Sequence, residues 1–139
     1  MPDHIEAYVH EDRIGVLAQF RCRSRFTFAT DEFIEFTKNI SIQIAIANPS
    51  SVSIRDLNPK IRNNEIALLE PALAALGHNG RFARVEQANS RINEEHCLLE
   101  QTCITDHNKM VAEYISEVSS RLAEKLVVVR FVRWEIGKG

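Results

Sequence analysis

Apolar side chains recur at every second position between residues 13 and 23, the period that places them on one face of a β-strand. A fainter alternation over residues 5–9, followed by a polar turn at Glu11 and Asp12, predicts that this strand is the second arm of an antiparallel hairpin. The apolar face of the predicted strand consists of Ile14, Val16, Ala18, Phe20 and Cys22.

The spacing changes to that of a helix between Asp31 and Asn48. Its apolar residues are too many for one narrow stripe, which predicts a helix buried over more than half of its circumference. Thr30 is the expected N-cap, and Pro49 is expected to end the helix at Asn48. The stripe consists of Phe33, Phe36, Ile40, Ile44 and Ala47, widened by Ile34, Ile42 and Ile46.

Two weaker helices are predicted beyond a loop at residues 50–60. The first covers residues 63–76, where Pro71 is expected to kink or restart it because proline lacks an amide hydrogen, and Gly77 is expected to close it. Residues 77–80, with the sequence GHNG, form the expected flexible connection. A second helix, reaching to about residue 95, is predicted from the spacing of Phe82, Val85 and Ile92.

A connector of largely apolar residues over positions 97–104 is expected to lie against the sheet. Thr105 or Asp106 is expected to cap a last helix, because short side chains with an oxygen satisfy the first free amides of a helix. The apolar stripe of this helix consists of Val111, Tyr114, Ile115, Val118 and Leu122.

A final strand is predicted over residues 126–136, with apolar side chains on both faces. A strand of this kind needs cover on its second face, either from helices or from another subunit. Val129, Phe131 and Trp134 are therefore candidates for a dimer interface or for the core beneath it. Alternation places Val127, Val129 and Phe131 on one face, and Val128, Val132 and Trp134 on the other.

Together these elements predict an α+β fold in a single domain over residues 1–139. Its small antiparallel β-sheet is made of the N-terminal hairpin plus the C-terminal strand, and several helices pack on it. The composition, 45% apolar and 26% charged, is that of an ordinary soluble domain. A net charge of -2 gives no general attraction to nucleic acid or to an anionic membrane.

The start of the chain is unlike a signal peptide, and no apolar run reaches the roughly 20 residues that span a bilayer. We therefore expect a cytoplasmic protein that does not bind membranes, with a processed organellar protein as the alternative.

The chain shows no motif for bond-making chemistry: no glycine-rich phosphate loop, no nucleophile triad and no supported pair of carboxylates. We therefore expect a protein that is not an enzyme and needs no cofactor. Cys22, Cys97 and Cys103 form no CxxC pair and are expected to be reduced, structural thiols. A zinc site that combines His96 and Cys97 with Cys103 and His107 is disfavoured, because adjacent side chains cannot easily point at one ion.

Several segments resemble translation elongation factor Ts in the same order and spacing. They are IGVL at positions 14–17, DEF at 31–33, NP at 48–49, LLEQ at 98–101 and LVVVRFVRWEIGKG at 126–139, with Cys22 and Phe26 between the first two. The resemblance implies the fold of that family's dimerisation core. One core copy is recognisable here, and the amino-terminal helical domain of longer members is not. Because shorter members with one copy dimerise, a homodimer is expected.

In the family, a Thr-Asp-Phe-Val turn enters elongation factor Tu and promotes release of GDP. The resemblance therefore implies guanine nucleotide exchange through Ser24, Arg25, Phe26 and Thr27, with Phe26 as the inserted aromatic residue. Arg25 stands where the family has an acidic residue, and Arg23 where it has a glutamate. This charge change predicts weakened exchange activity.

The basic residues beside this turn support an alternative. If the strand continues, Arg21, Arg23 and Arg25 share one face and form a ladder that is either a solvated edge or a site for an anion. The chain would then be a diverged paralogue that binds RNA or an acidic protein. A structural subunit without exchange activity is a third possibility, and Phe26 and Phe28 would be core residues if the period of two continued through them.

Overall fold

In a computed structural model, which describes residues 1–138, the chain forms the predicted α+β fold. Its sheet has three antiparallel strands in the order β1 (Asp3–His10), β2 (Ile14–Arg21) and β3 (Val127–Glu135). The helices are α1 (Asp31–Ala47), α2 (Pro59–Leu73), α3 (His78–His96) and α4 (Val111–Arg121). Across positions 1–138, no helix combines the length and the apolar character needed to cross a membrane.

The inner face of the sheet packs against α1, as the two periodicities predict. Val16, Ala18 and Phe20 of β2 are each at most 2% exposed, and the rings of Phe20 and Phe36 meet edge to face at 5.6 Å. Thr30 caps α1 by accepting a hydrogen bond from the Phe33 amide at 3.2 Å. The helix ends at the left-handed Asn48, as expected.

The stripe of α1 is widened by polar residues, so its predicted widening by isoleucines is partly wrong. Ile34 and Ile46 are exposed, whereas Thr37, Ser41 and Gln43 are buried. Hydroxyl groups can be buried on a helix when they return a hydrogen bond to its backbone. The Ser41 hydroxyl does so to the Thr37 carbonyl at 2.8 Å.

A β-bulge interrupts β3 and corrects its predicted faces. Gln19 lies opposite Arg130, but the next residue, Phe20, lies opposite Val128, which leaves Val129 as an extra residue. Val128 is consequently buried on the inner face. Alternation cannot reveal such an insertion, because one extra residue exchanges the faces of every position beyond it.

The α2 and α3 region is more helical than expected. Asn58 caps α2, which begins at Pro59, so the predicted loop ends earlier. Proline suits the first helical turn because no partner exists there for the missing amide. Pro71 lies near the end of α2, where one lost hydrogen bond costs little, and the helix does not restart after it.

Gly77 is the residue before α3 and does not end the preceding helix. The predicted flexible connection at residues 77–80 is therefore wrong, since His78 already begins α3. Arg62 ties the two helices together by donating to Asn89 at 2.8 Å and to Asn93 at 2.6 Å.

The connector and α4 complete the core. Leu98 and Cys103 belong to the same buried cluster as the inner face of the sheet, as predicted, and the whole apolar stripe of α4 packs on that cluster. The predicted caps Thr105 and Asp106 are wrong. Met110 is the residue before α4, and it donates its amide to the Glu113 carboxylate. The helix starts only at Val111 because the Val111 amide is bonded to the Gln101 carbonyl of the connector.

A candidate partner-binding turn and an exposed sheet face

The chain leaves the sheet after Arg21 and makes a tight turn before α1. We call residues 22–27 the Phe26 turn. Ser24 starts a short 3-10 helix, Arg25–Ala29, by accepting the Phe26 amide on its hydroxyl at 3.2 Å. Cys22 anchors the first residue of the turn, since its side chain is fully buried in the core.

The predicted arginine ladder does not form, because the strand ends before its second member. Arg21 lies on β2 and makes a two-fold contact with Asp3, with Nε to Oδ1 at 2.8 Å and Nη2 to Oδ2 at 3.0 Å. This hydrogen bonding raises the pKa of Arg21 and lowers the pKa of Asp3. Arg23 and Arg25 lie in the turn instead and are exposed.

The two phenylalanines of this segment have opposite environments. Phe26 is 89% exposed, more than any other large apolar side chain within residues 1–138. Phe28 is partly buried, with its ring centroid 5.1 Å from that of Phe33. The alternative in which both are core residues therefore holds for Phe28 and not for Phe26, because the 3-10 turn replaces the period of two.

Glu124, which the sequence did not single out, lies under the Phe26 turn. Its carboxylate accepts the amides of Arg23 at 2.8 Å and Ser24 at 3.2 Å, and the hydroxyl of Thr27 at 2.8 Å. Burial raises the pKa of Glu124, but the hydrogen bonds that it accepts lower it by more, so the net shift is downward. A single glutamate about 100 residues from its partners leaves no local signal in the sequence.

Apart from a hydrogen-bonded polar end at Asp3, Arg21 and Arg130, the outer face of the sheet is apolar, and nothing within residues 1–138 covers it. Gly15 lies between Val9 and Trp134 in neighbouring strands, and a groove of about 230 Å³ opens beside it. Trp134 is 78% exposed on this outer face, whereas Phe131 packs against the core and Val129 is the half-buried bulge residue. The exposed apolar residues of the outer face are Ile5, Val9, Leu17, Val132 and Trp134.

The three cysteines are buried thiols. Burial raises the pKa of Cys22 and of Cys103. Cys97 belongs to a small second cluster with Leu57 and Ile92, apart from Cys103 in the main core. His96 lies beside Glu65, with its Nε2 2.7 Å from the carboxylate.

Comparisons with known proteins agree with the residue-level resemblance. The family model described as "Elongation factor TS" matches residues 2–138. Elongation factor Ts of a Thermoanaerobacter species is 38% identical over 138 residues, which is 97% of this chain and 68% of that protein. The proteins of the same name from Caldanaerobacter subterraneus and Syntrophobacter fumaroxidans are 37% and 30% identical, covering 97% and 96% of this chain and 69% and 68% of those relatives.

Proposed function

Because this chain belongs to the elongation factor Ts family, we propose that it binds elongation factor Tu and promotes the release of GDP. The observation that carries the proposal is the position of Phe26, almost fully exposed at the end of a turn whose backbone is fixed by hydrogen bonds. A large aromatic side chain that the fold keeps exposed to solvent is available to fill a pocket in a partner.

The proposed mechanism is a shift between two states of the partner. Phe26, flanked by Arg25 and Thr27, inserts where the partner holds its nucleotide and magnesium ion. The binding energy then favours the state in which those contacts are broken, so that GDP dissociates faster. The protein acts by binding alone and makes or breaks no covalent bond.

Phe26→Ala tests this mechanism. Burying a phenylalanine side chain contributes about 1.5 to 3 kcal/mol, so the variant should lose about tenfold to a hundredfold of the acceleration of fluorescent GDP release. Phe82→Ala is the matched control, since Phe82 is also exposed but lies on α3. Equal rates for wild type and Phe26→Ala would remove the proposed role of Phe26.

The argument for the alternative partner, RNA or an acidic protein, is weaker than the sequence alone suggested. It relied on three arginines acting together, and Arg21 is occupied by Asp3. Arg23 and Arg25 remain exposed. We therefore propose the exchange function and do not put forward the paralogue.

We further propose that two copies of the single domain pair through the outer face of the sheet. The support is the row of exposed apolar side chains that no helix of the described chain covers. Apolar patches of this kind on soluble domains are typical of interfaces. Trp134 would lie in the contact, and Phe131 would support it from the core.

A further inference from the structure

We propose that Glu124 is the positioning residue that holds the Phe26 turn in the conformation that presents Phe26 to elongation factor Tu. This inference rests on the function proposed above. It assigns to a residue outside the turn a role in exchange that does not involve contact with the partner.

The need for such a residue arises where β2 ends. The Cys22 amide still donates to the Pro2 carbonyl at 3.3 Å, but beyond it the amides of Arg23 and Ser24 have no backbone acceptor within residues 1–138. Within residues 1–138, the only acceptor of these two amides is the carboxylate of Glu124, at 2.8 Å and 3.2 Å. One side chain therefore replaces the missing strand at this point of the sheet.

The chemistry of the site requires a carboxylate. Four donors converge on its two oxygens: the Arg23 and Lys125 amides on Oε1, and the Ser24 amide and Thr27 hydroxyl on Oε2. An ionised carboxylate only accepts hydrogen bonds, so it satisfies all four. A glutamine amide would place its NH2 group against two of these donors.

The hydrogen bonds that end α4 fix the backbone of Glu124 next to the Phe26 turn. The Glu124 amide donates to the Ser119 carbonyl at 2.9 Å and the Ala123 amide to the Ser120 carbonyl at 3.2 Å. With Ala123 in the left-handed region at φ 49°, this is the Schellman pattern of helix termination. The backbone under Glu124 is thus fixed before its side chain reaches the turn.

Phe26 does not hold itself in place. Its ring is exposed, and among the described residues its amide bonds only to Ser24, another residue of the same turn. Without Glu124, the Phe26 turn would sample other conformations, and the rate of productive encounter would be proportional to the fraction of time that the turn is correctly formed. Hydrogen bonds to a charged acceptor are strong enough for a loss of about tenfold.

The first measurement is amide hydrogen exchange of the free protein. In Glu124→Ala and Glu124→Gln, the Arg23 and Ser24 amides should lose at least about tenfold of their protection, with β1 and β2 unchanged. Glu117→Gln, on α4 with its carboxylate on Lys109, should leave both amides protected. Unchanged protection in both Glu124 variants would overturn the proposal.

The second measurement is GDP release from elongation factor Tu. Glu124→Ala should slow it about tenfold in the wild-type background and not at all in Phe26→Ala, because Glu124 acts through Phe26. Equal losses in both backgrounds would mean a general structural role and would overturn the proposal. A wild-type protein without activity would overturn the proposed function and the role in exchange together, whereas amide exchange, which needs no partner, would still show whether Glu124 holds the turn.

Discussion

The resemblance implies that the Phe26 turn differs in charge from the corresponding turn of the family at Arg23 and at Arg25, of which Arg25 is the direct neighbour of Phe26. If the partner's surface is matched to an acid, the opposite charge costs on the order of 2 to 5 kcal/mol, or about 30-fold to several thousand-fold in affinity. We predict that Arg25→Asp binds elongation factor Tu more tightly and accelerates GDP release more strongly than wild type, as measured with fluorescent GDP.

The structure indicates that Arg25→Asp changes the charge of the turn without removing a stabilising contact. Arg25 is exposed, and its side chain takes part in no hydrogen bond or ion pair among the described residues, so the melting temperature should not change. Arg55→Asp reverses the same charge in another exposed segment and should leave the rate as it is. A rate for Arg25→Asp at or below that of wild type would show that the partner offers no matched contact for an acid.

Ala123 adopts a left-handed backbone conformation, with φ at 49°. This region costs a residue with a Cβ about 1 kcal/mol, and glycine avoids the cost. Ala123→Gly should therefore raise the free energy of unfolding in urea by about 0.5 to 1 kcal/mol. Ala83→Gly, inside α3, should lower it by a similar amount, because glycine weakens a helix interior. Destabilisation by both variants would contradict this interpretation of the cap.

The candidate site could be predicted in part at the residue scale. The resemblance pointed to Phe26, and the structure places this residue on an exposed turn; its role stays a prediction. The resemblance did not locate Glu124, since its contacts join positions 23–27 to position 124 through folding alone. The pairing of Arg21 with Asp3 was missed for the same reason: cross-strand register decides it.

At the scale of elements, β3 stabilises the end of α1. The last carbonyls of a helix lack partners within it, and Arg133 donates to the Ala45 carbonyl from Nε at 3.1 Å and from Nη2 at 2.9 Å. We predict that Arg133→Met lowers the free energy of unfolding by about 1 to 3 kcal/mol in urea. Arg81→Met removes the exposed contact with Glu70 and should cost at most about 1 kcal/mol. A cost below about 1 kcal/mol for Arg133→Met, which also removes the contact of Arg133 with Glu135 at 2.7 Å, would contradict this role of Arg133.

Periodicity predicted the elements that have one strongly apolar face. β2, α1 and the stripe of α4 are of this kind, and their predicted residues form most of the main core. The helix starts at Pro59, His78 and Val111 were missed. The start at Pro59 has a local signal, the cap Asn58 followed by proline, whereas the start at Val111 depends on the bond from its amide to the Gln101 carbonyl. The bulge at Val129 was missed because both faces of β3 are apolar, so that a change of face leaves the pattern unchanged.

At the scale of the whole molecule, the sheet divides residues 1–138 into a covered inner side and an outer side that no other element covers. α1 packs on the inner side, where β2 contributes its buried residues. The apolar residues of β1 face outward, and the inner positions of that strand are His4, Glu6, Tyr8 and His10. Because β1, unlike β2, turns its apolar side chains away from the core, we expect a second copy of the chain on that side of the sheet.

The prediction at this scale is therefore a homodimer that dissociates when the outer face becomes charged. Wild type should scatter light with twice the chain's mass of 15.8 kDa at tens of micromolar. Trp134→Lys should give a monomer with its fold intact, because an unpaired charge in an apolar contact loses its water without compensation, while the exposed Trp134 contributes little to the core. Leu68→Lys, which places the same charge at an exposed apolar position of α2, should remain a dimer. A monomeric wild type, or a Trp134→Lys variant that stays dimeric, would contradict pairing through this face.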